Sequence, residues 1–341
     1  VNWWRITGAI GRLMIAIGLV LLAFVGYQLW GTGFFTARQQ DQLQQDFEQQ
    51  LEKYRPEAGD QATTEPPTTN EPTTSSTTSS TTSSGDLSPA PTTPTTIVTA
   101  PVDLPFPTLG SAIARLTIPT ISSDYFVVQG VDLEYLKSGP GHFPQTPLPG
   151  QPGNVAIAGH RTTYGAPFNR LDELKPGDLI YVKTLQGDFT YKVDNHFNFS
   201  TGQPEGHFIV SPTEISVLDP TAENRLTLLA CHPKFSAANR IVVTATLQGV
   251  PAPPTAQDAT DTVTVDASTD ALAEGDSSRW PWAIFWSLFS IALGVAAWYA
   301  MKKKDIHSWP KVAIWIGVGI VLIVPIYMAF ENIAALLPAS Y

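Results

Sequence analysis

Leu226-Thr227-Leu228-Leu229-Ala230-Cys231-His232-Pro233 decides how this chain is read, because an apolar run of strand length ends on the sole cysteine of the 341 residues. A second run, Arg240-Ile241-Val242-Val243-Thr244-Ala245-Thr246, follows after a short break. Runs rich in β-branched residues and bounded by turn formers predict strands, and two runs this close predict sheet neighbours. The neighbouring strand then delivers the Arg240 guanidinium beside the Cys231 thiol. Well upstream, Asn154-Val155-Ala156-Ile157-Ala158 reads as another strand, closed by Gly159-His160-Arg161.

A thiol, an imidazole and a guanidinium together suit acyl transfer. Cysteine is both a strong nucleophile near neutral pH and a good leaving group from a thioester. Cations beside it favour the thiolate over the thiol, whose ordinary value is near about 8.5. His160 is the candidate to protonate a departing amine and deprotonate an incoming one. Arg240 stays protonated, so it suits holding an oxyanion and is useless as a base. Taken singly each residue has a bland alternative, a buried inert thiol above all; their coincidence is what argues for a site.

Among the other histidines, His232 points to the opposite face from Cys231 if the strand continues through it. His142, in Gly139-Pro140-Gly141-His142-Phe143-Pro144, lies in a turn-rich segment and either lines the site or has a structural role. His196 and His207 have no partners at ligand spacing, so no metal site and no cofactor are expected. One cysteine forms no internal disulfide.

The net charge is −10, yet residues 108–248 hold 10 basic and 12 acidic side chains, so the segment with the chemistry is nearly neutral. That excludes a nucleic-acid partner. Three apolar stretches, 8–30, 281–301 and 312–332, match the roughly 20 residues that span a bilayer. The first is too long for a cleaved leader and lacks a nearby small-residue cleavage pattern, so it reads as a retained anchor. Lys302, Lys303, Lys304 and Lys311 place the loop 302–311 in the cytoplasm, together with residues 1–7. The expected location is therefore the cell membrane, multi-pass, with the catalytic domain extracytoplasmic.

In 31–60, Leu43, Phe47, Leu51 and Tyr54 recur at helical spacing, a stripe for packing or self-association. Residues 61–107 are Thr, Ser and Pro with scarcely a large apolar side chain, a disordered tether of about 40 Å mean reach. A second linker, rich in Ala, Asp and Thr, covers 249–280. Between the linkers, strands are predicted at 112–118, 125–129, 154–158, 178–184, 189–195, 207–210, 214–218, 225–231 and 240–248, with short helices at 132–137 and 167–174. Gly and Pro punctuate the junctions, so 108–248 reads as one all-β domain closed into a barrel.

These residues resemble the sortases, membrane-bound cysteine transpeptidases of Gram-positive bacteria. The family signature is a strand ending Thr-Leu-x-Thr-Cys, an Arg shortly after it, and a His closing an upstream strand. Thr227-Leu228-Leu229-Ala230-Cys231, Arg240 and Gly159-His160-Arg161 match it. The likeness extends over most of 110–248. With Tyr27-Gln28-Leu29-Trp30-Gly31-Thr32, His160-Arg161-Thr162-Thr163-Tyr164-Gly165-Ala166-Pro167-Phe168 and Cys231-His232-Pro233-Lys234-Phe235-Ser236, it is most similar to the class E sortases of actinobacteria.

The resemblance implies an eight-stranded sortase-type β-barrel with short helices, which the three apolar stretches then tether as one N-terminal and two C-terminal transmembrane helices. It further implies cleavage of a C-terminal sorting signal, of the Leu-Ala-x-Thr-Gly or Leu-Pro-x-Thr-Gly type, between Thr and Gly through a thioester on Cys231. An amine of the peptidoglycan precursor lipid II then releases the surface protein onto the wall. Tyr164, Thr227, Leu228, Ala230 and His142 are the implied substrate contacts, with packing under its loop the alternative for Tyr164. Two features depart from the family: Ala230 stands where Thr is usual, with altered efficiency or specificity expected, and the C-terminal spans are paired. A pilus-type enzyme polymerising pilins is one alternative, although no lid of that type precedes Leu109. An L,D-transpeptidase lacks support because its Ser-His-Gly loop is absent. A catalytically decayed wall-binding module is the non-enzymatic alternative.

Overall fold

The computed structural model describes residues 3–54, 104–198, 202–255, 277–303 and 308–336. Most of the two expected linkers and residues 304–307 of the basic loop lie outside the described residues. Helix α1 (Trp3–Gly26) runs through a π-helical turn (Tyr27–Gly31) into α2 (Thr32–Lys53). The strands follow: β1 (Ala112–Ile118) and β2 (Ser123–Gln129), the one-turn helix α3 (Leu133–Leu136), then β3 (Gly141–His142) and β4 (Asn154–Ala158). Next come β5 (Leu179–Thr184), β6 (Gly187–Val193), β7 (His196–Asn198), β8 (Gln203–Glu205) and β9 (Phe208–Val210). Strands β10 (Arg225–His232) and β11 (Asn239–Gln248) complete the domain, and α4 (Trp280–Lys303) and α5 (Ser308–Leu336) end the described chain.

Eight strands close into a barrel in the order β10-β4-β3-β2-β1-β5-β6-β11, with β11 pairing back onto β10. Closure removes the unpaired edges that an open sheet exposes. Strand β9 is additional. It pairs with the start of β11, Arg240–Val242, while β6 takes the other end, Ala245–Gln248. Two contacts are parallel, β4 with β10 and β2 with β3.

Strand alternation sorts side chains to two buried faces. Leu226, Leu228 and Ala230 point into the barrel with Val155, Ile157, Ile241 and Val243. Leu229, Ala156, Ala158 and Val242 face outward beneath Val131, Leu136, Phe143 and Val217. Burial on both faces is why β10 reads as a continuous apolar run rather than an alternating one.

The stripe on α2 is a packing stripe. Leu43 and Phe47 close a third cluster with Ala112, Phe126 and Val128 on the outer face of β1 and β2. Gln40 pins the same helix, its Nε2 donating to the carbonyls of Phe126 (3.0 Å) and Ser138 (2.8 Å) and its Oε1 accepting from the Phe126 amide (2.6 Å).

Elsewhere structure and expectation differ locally. Residues 214–218 form a 3₁₀ turn, Ser216–Leu218, not a strand. The Glu214 carboxylate accepts from the Ser216 hydroxyl, an internal bond that competes with strand pairing. The 167–174 segment keeps only the 3₁₀ turn Leu171–Glu173. Strand β3 and the β7–β8 hairpin are two and three residues long, too short to show a period. The barrel also holds the chain beyond 248: the Ala252 backbone amide donates to the Gly150 carbonyl (2.8 Å), and the Gln186 side-chain Nε2 to the Pro253 carbonyl (2.9 Å).

Ser277–Tyr299 and Gly317–Ala334 are long and apolar enough to cross a membrane, with mean hydropathy 1.5 and 1.8. A shorter apolar stretch, Ile10–Gly26, lies in α1. The end of α1 meets α5 through ring contacts, Phe24 with Phe330 at 5.2 Å and Tyr27 with Tyr327 at 5.5 Å.

Candidate active site

Strands β10 and β11, with the chain that leaves β4, bring the candidate residues into one row. In the antiparallel β10–β11 pair Cys231 lies directly opposite Arg240, one step past Ala230–Ile241 and two past Leu229–Val242. Residues opposite each other share a face, so both side chains lie on the outer face with Leu229 and Val242. On the other side of β10, the parallel register pairs Leu228 with Ile157 and Leu229 with Ala158. Continued by two residues it sets His160 beside Cys231, and the Gly159 amide donates to the Leu229 carbonyl at 3.0 Å to hold that approach. Neighbouring strands lie about 4.8 Å apart, so imidazole, thiol and guanidinium occupy consecutive positions of a single row. All three are nearly closed to solvent, at 6% for His160, 7% for Cys231 and 1% for Arg240.

Burial pushes the Cys231 thiol above its ordinary range, and the charges of Arg240 and then Arg161 pull it partly back. Desolvation wins, so the resting group is the thiol and the arginines limit the penalty for its ionisation. Arg240 is aimed by its own hairpin, Nη1 donating to the carbonyls of Ala237 (3.0 Å) and Asn239 (3.1 Å). Strand β10 continues through His232, which pairs with Asn239 and projects from the other face than Cys231.

The other expected site residues fall elsewhere. His142 has no exposed surface; its ring nitrogens bond the Gln129 side chain (2.8 Å) and the Pro147 carbonyl (2.8 Å). Burial lowers it to about 4, which keeps it neutral, so it fastens the turn after β3 and lines nothing. Leu228 and Ala230 are barrel core. Thr227 is fully buried, its hydroxyl donating to Asn154 Oδ1 at 2.6 Å. Tyr164 alone of this group adjoins the row, its ring 5.0 Å from that of His160 at an interplanar angle of 37°.

The family model described as Sortase domain matches residues 116–248. Sortase SrtE1 of Streptomyces coelicolor is 26% identical over 250 residues, 69% of this chain and 55% of that protein. Thus the chain spans about half the length of that curated relative. Solved structures that match include the SrtF sortase from Corynebacterium diphtheriae, 32% identical over 46% of this chain and 93% of that one, with a TM-score of 0.38. Sortase E from Streptomyces avermitilis is 32% identical over 42% of this chain and 91% of that one, with a TM-score of 0.36. The chain belongs to the sortase family.

Within this sortase, Arg161 is the residue that sequence reasoning quoted without giving it a task. It is 2% exposed, bonds the Cys231 carbonyl through Nη1 (3.2 Å) and the Asn169 carbonyl through Nε (2.9 Å), and pairs with Asp172 at 2.8 Å. It ties the end of β10 to the segment after His160, and a buried cation so paired is costly to remove. Nothing local distinguishes it from a surface arginine, because both its strand and its acid are set by tertiary contacts.

The loop after His160 is strained. Tyr164, Gly165 and Ala166 take successive φ values of 50°, 74° and 45°, a left-handed run that costs roughly 1–2 kcal/mol at each non-glycine residue. The Tyr125 hydroxyl donates to the Gly165 carbonyl at 2.7 Å and helps hold it. Burial, then Glu331 and Tyr327 of α5, push the Tyr164 phenol up to about 12.

The departure at Ala230 is explained by its side. It faces the barrel interior at 2% exposure, away from the Cys231 row, where a hydroxyl meets apolar neighbours. Ala230→Thr is expected to lower stability by about 1–3 kcal/mol, through overpacking and an unpaired hydroxyl, while leaving the specific activity of folded sortase within about twofold. Thermal unfolding and rate per thioester-competent molecule measure the two separately; a large change in rate at unchanged stability contradicts the placement.

Proposed function

We propose that this sortase is a membrane-anchored cysteine transpeptidase that cuts a C-terminal sorting signal of the Leu-Ala-x-Thr-Gly or Leu-Pro-x-Thr-Gly type between Thr and Gly. The observation that carries the reading is Cys231 opposite Arg240 in the β10–β11 pair, with His160 two residues past the end of β4, the strand parallel to β10 on its other side. In the first step the Cys231 thiol passes its proton to His160, and the sulfur, now a thiolate, attacks the Thr carbonyl carbon. The C–N bond to Gly breaks, and His160 gives its proton to the departing amine. In the second step a peptidoglycan-precursor amine, that of lipid II, loses its proton to His160 and attacks the thioester. The C–S bond breaks and the thiolate returns. Arg240 stabilises the oxyanion in both steps and keeps the ionised sulfur affordable in a dry site.

Support for an extracytoplasmic, membrane-anchored location comes from the apolar helices and from α1 meeting the C-terminal half of α5 beside the barrel. If α1 and α5 both span, their contacting ends leave on one side, the side of the catalytic domain. That agrees with a cytoplasmic loop rich in Lys between α4 and α5. The test is ligation by the full chain in detergent micelles, with peptides bearing each signal and a lipid II-type amine. A ligated product and an acyl-enzyme on Cys231, both seen by mass spectrometry, are expected; absence of both across a peptide library sinks the reading.

A further inference from the structure

We propose that α2 is a positioning element of the active site, with Thr32 setting the loop that bears His160. The inference rests on the catalytic reading of His160 given above. Thr32 is 2% exposed and its hydroxyl donates to the Gln28 carbonyl at 2.7 Å, which turns a lone pair outward. The Tyr164 amide donates to that oxygen at 3.2 Å. Tyr164 is the first of the three left-handed residues, and its ring lies on His160. Backbone strain persists only where contacts over-determine it, and here α2 supplies one such contact from outside the barrel.

The next turn of the helix adds another. Thr36 is 1% exposed and its hydroxyl donates to the Lys137 carbonyl at 2.8 Å. A Cβ at Gly165 would stand 3.4 Å from the Thr36 methyl and 2.9 Å from the Tyr125 hydroxyl, so loop and helix are in close approach. Thr32, Thr36 and Gln40 thus extend the stripe of Leu43 and Phe47 at three- and four-residue spacing, and the whole face is docked. Because α2 continues from α1 through Tyr27–Gly31, the geometry of His160 is tied to the N-terminal anchor. A π-helical turn at that junction fits a functional hinge.

The experiment uses the full chain in micelles and the variants Thr32→Val, which keeps shape and loses the acceptor, and Thr32→Ser, which keeps the acceptor. Amide exchange across 160–168 is expected to speed up about tenfold in Thr32→Val while β1, β5 and β6 stay protected. Ligation kcat is expected to fall about tenfold with KM within twofold, and Thr32→Ser to restore both. Exchange and kcat equal to wild type in Thr32→Val, or failure of Thr32→Ser to restore them, overturns the proposal. If the wild type ligates no sorting peptide but Thr32→Val still frees the loop, the transpeptidase reading fails and the coupling of α2 to the loop stands.

Discussion

Cys231→Ala is expected to abolish ligation, with a fall of about 10⁴-fold or more and no acyl-enzyme detectable by intact mass. Both half-reactions pass through the one sulfur, and among the described residues no other thiol exists to take its place. Removing a covalent nucleophile leaves only what binding and oxyanion stabilisation provide. The substitution is gentle to the fold. Cys231 sits at the end of β10 with a 7% exposed side chain, and a methyl group fills nearly the same space. Unfolding temperature and sorting-peptide affinity are therefore expected to stay close to wild type. Residual ligation above one part in a thousand by a well-folded Cys231→Ala protein overturns the thioester route.

Arg240→Ala is expected to lower kcat by about 10²–10³-fold, the range for loss of one oxyanion donor. A second readout isolates its electrostatic part. Burial holds the thiol up and Arg240 is the larger of the two charges opposing it, so its loss moves the thiol further up. Iodoacetamide labelling of Cys231 then shifts to higher pH and slows at neutral pH. Arg240→Lys separates charge from shape. Lysine retains the positive charge but not the planar fork that fixes Ala237 and Asn239, so the labelling profile is expected to recover while kcat stays depressed. Recovery of both by lysine assigns Arg240 a purely electrostatic part, and an unshifted profile in Arg240→Ala removes it from the thiol's environment.

The barrel strands that hold the chemistry were legible where their length let a pattern show. Runs at 112–118, 154–158, 225–231 and 240–248 are apolar, β-branched and bounded by Gly or Pro, and each lies within or matches a strand. The β10–β11 hairpin was legible too, because only a short turn separates the runs. Harder to see were elements without a period of their own. Strand β3 exists because Gly141 and His142 are squeezed between β2 and β4; a Cβ at Gly141 would meet the Gly130 carbonyl oxygen at 2.2 Å. The amphipathic stripe on α2 announced packing, but its continuation through Thr32, Thr36 and Gln40 is polar and carries no apolar signal of the contacts those residues make.

The candidate site divides the same way. By itself the sequence determined that Cys231 ends an apolar strand, that Arg240 begins the next, and that His232 alternates away, since side-chain direction along a strand is a local property with period two. Only the tertiary structure decided that β4 runs parallel beside β10 and delivers His160, that His142 is sealed in neutral form, and that Ala230 packs in the barrel rather than in the site. It also decided that Arg161 bonds the Cys231 carbonyl and that the Tyr164 amide finds the Thr32 hydroxyl. These depend on which distant segments meet when the ring closes, and periodicity within a segment reveals which face is buried but not what buries it.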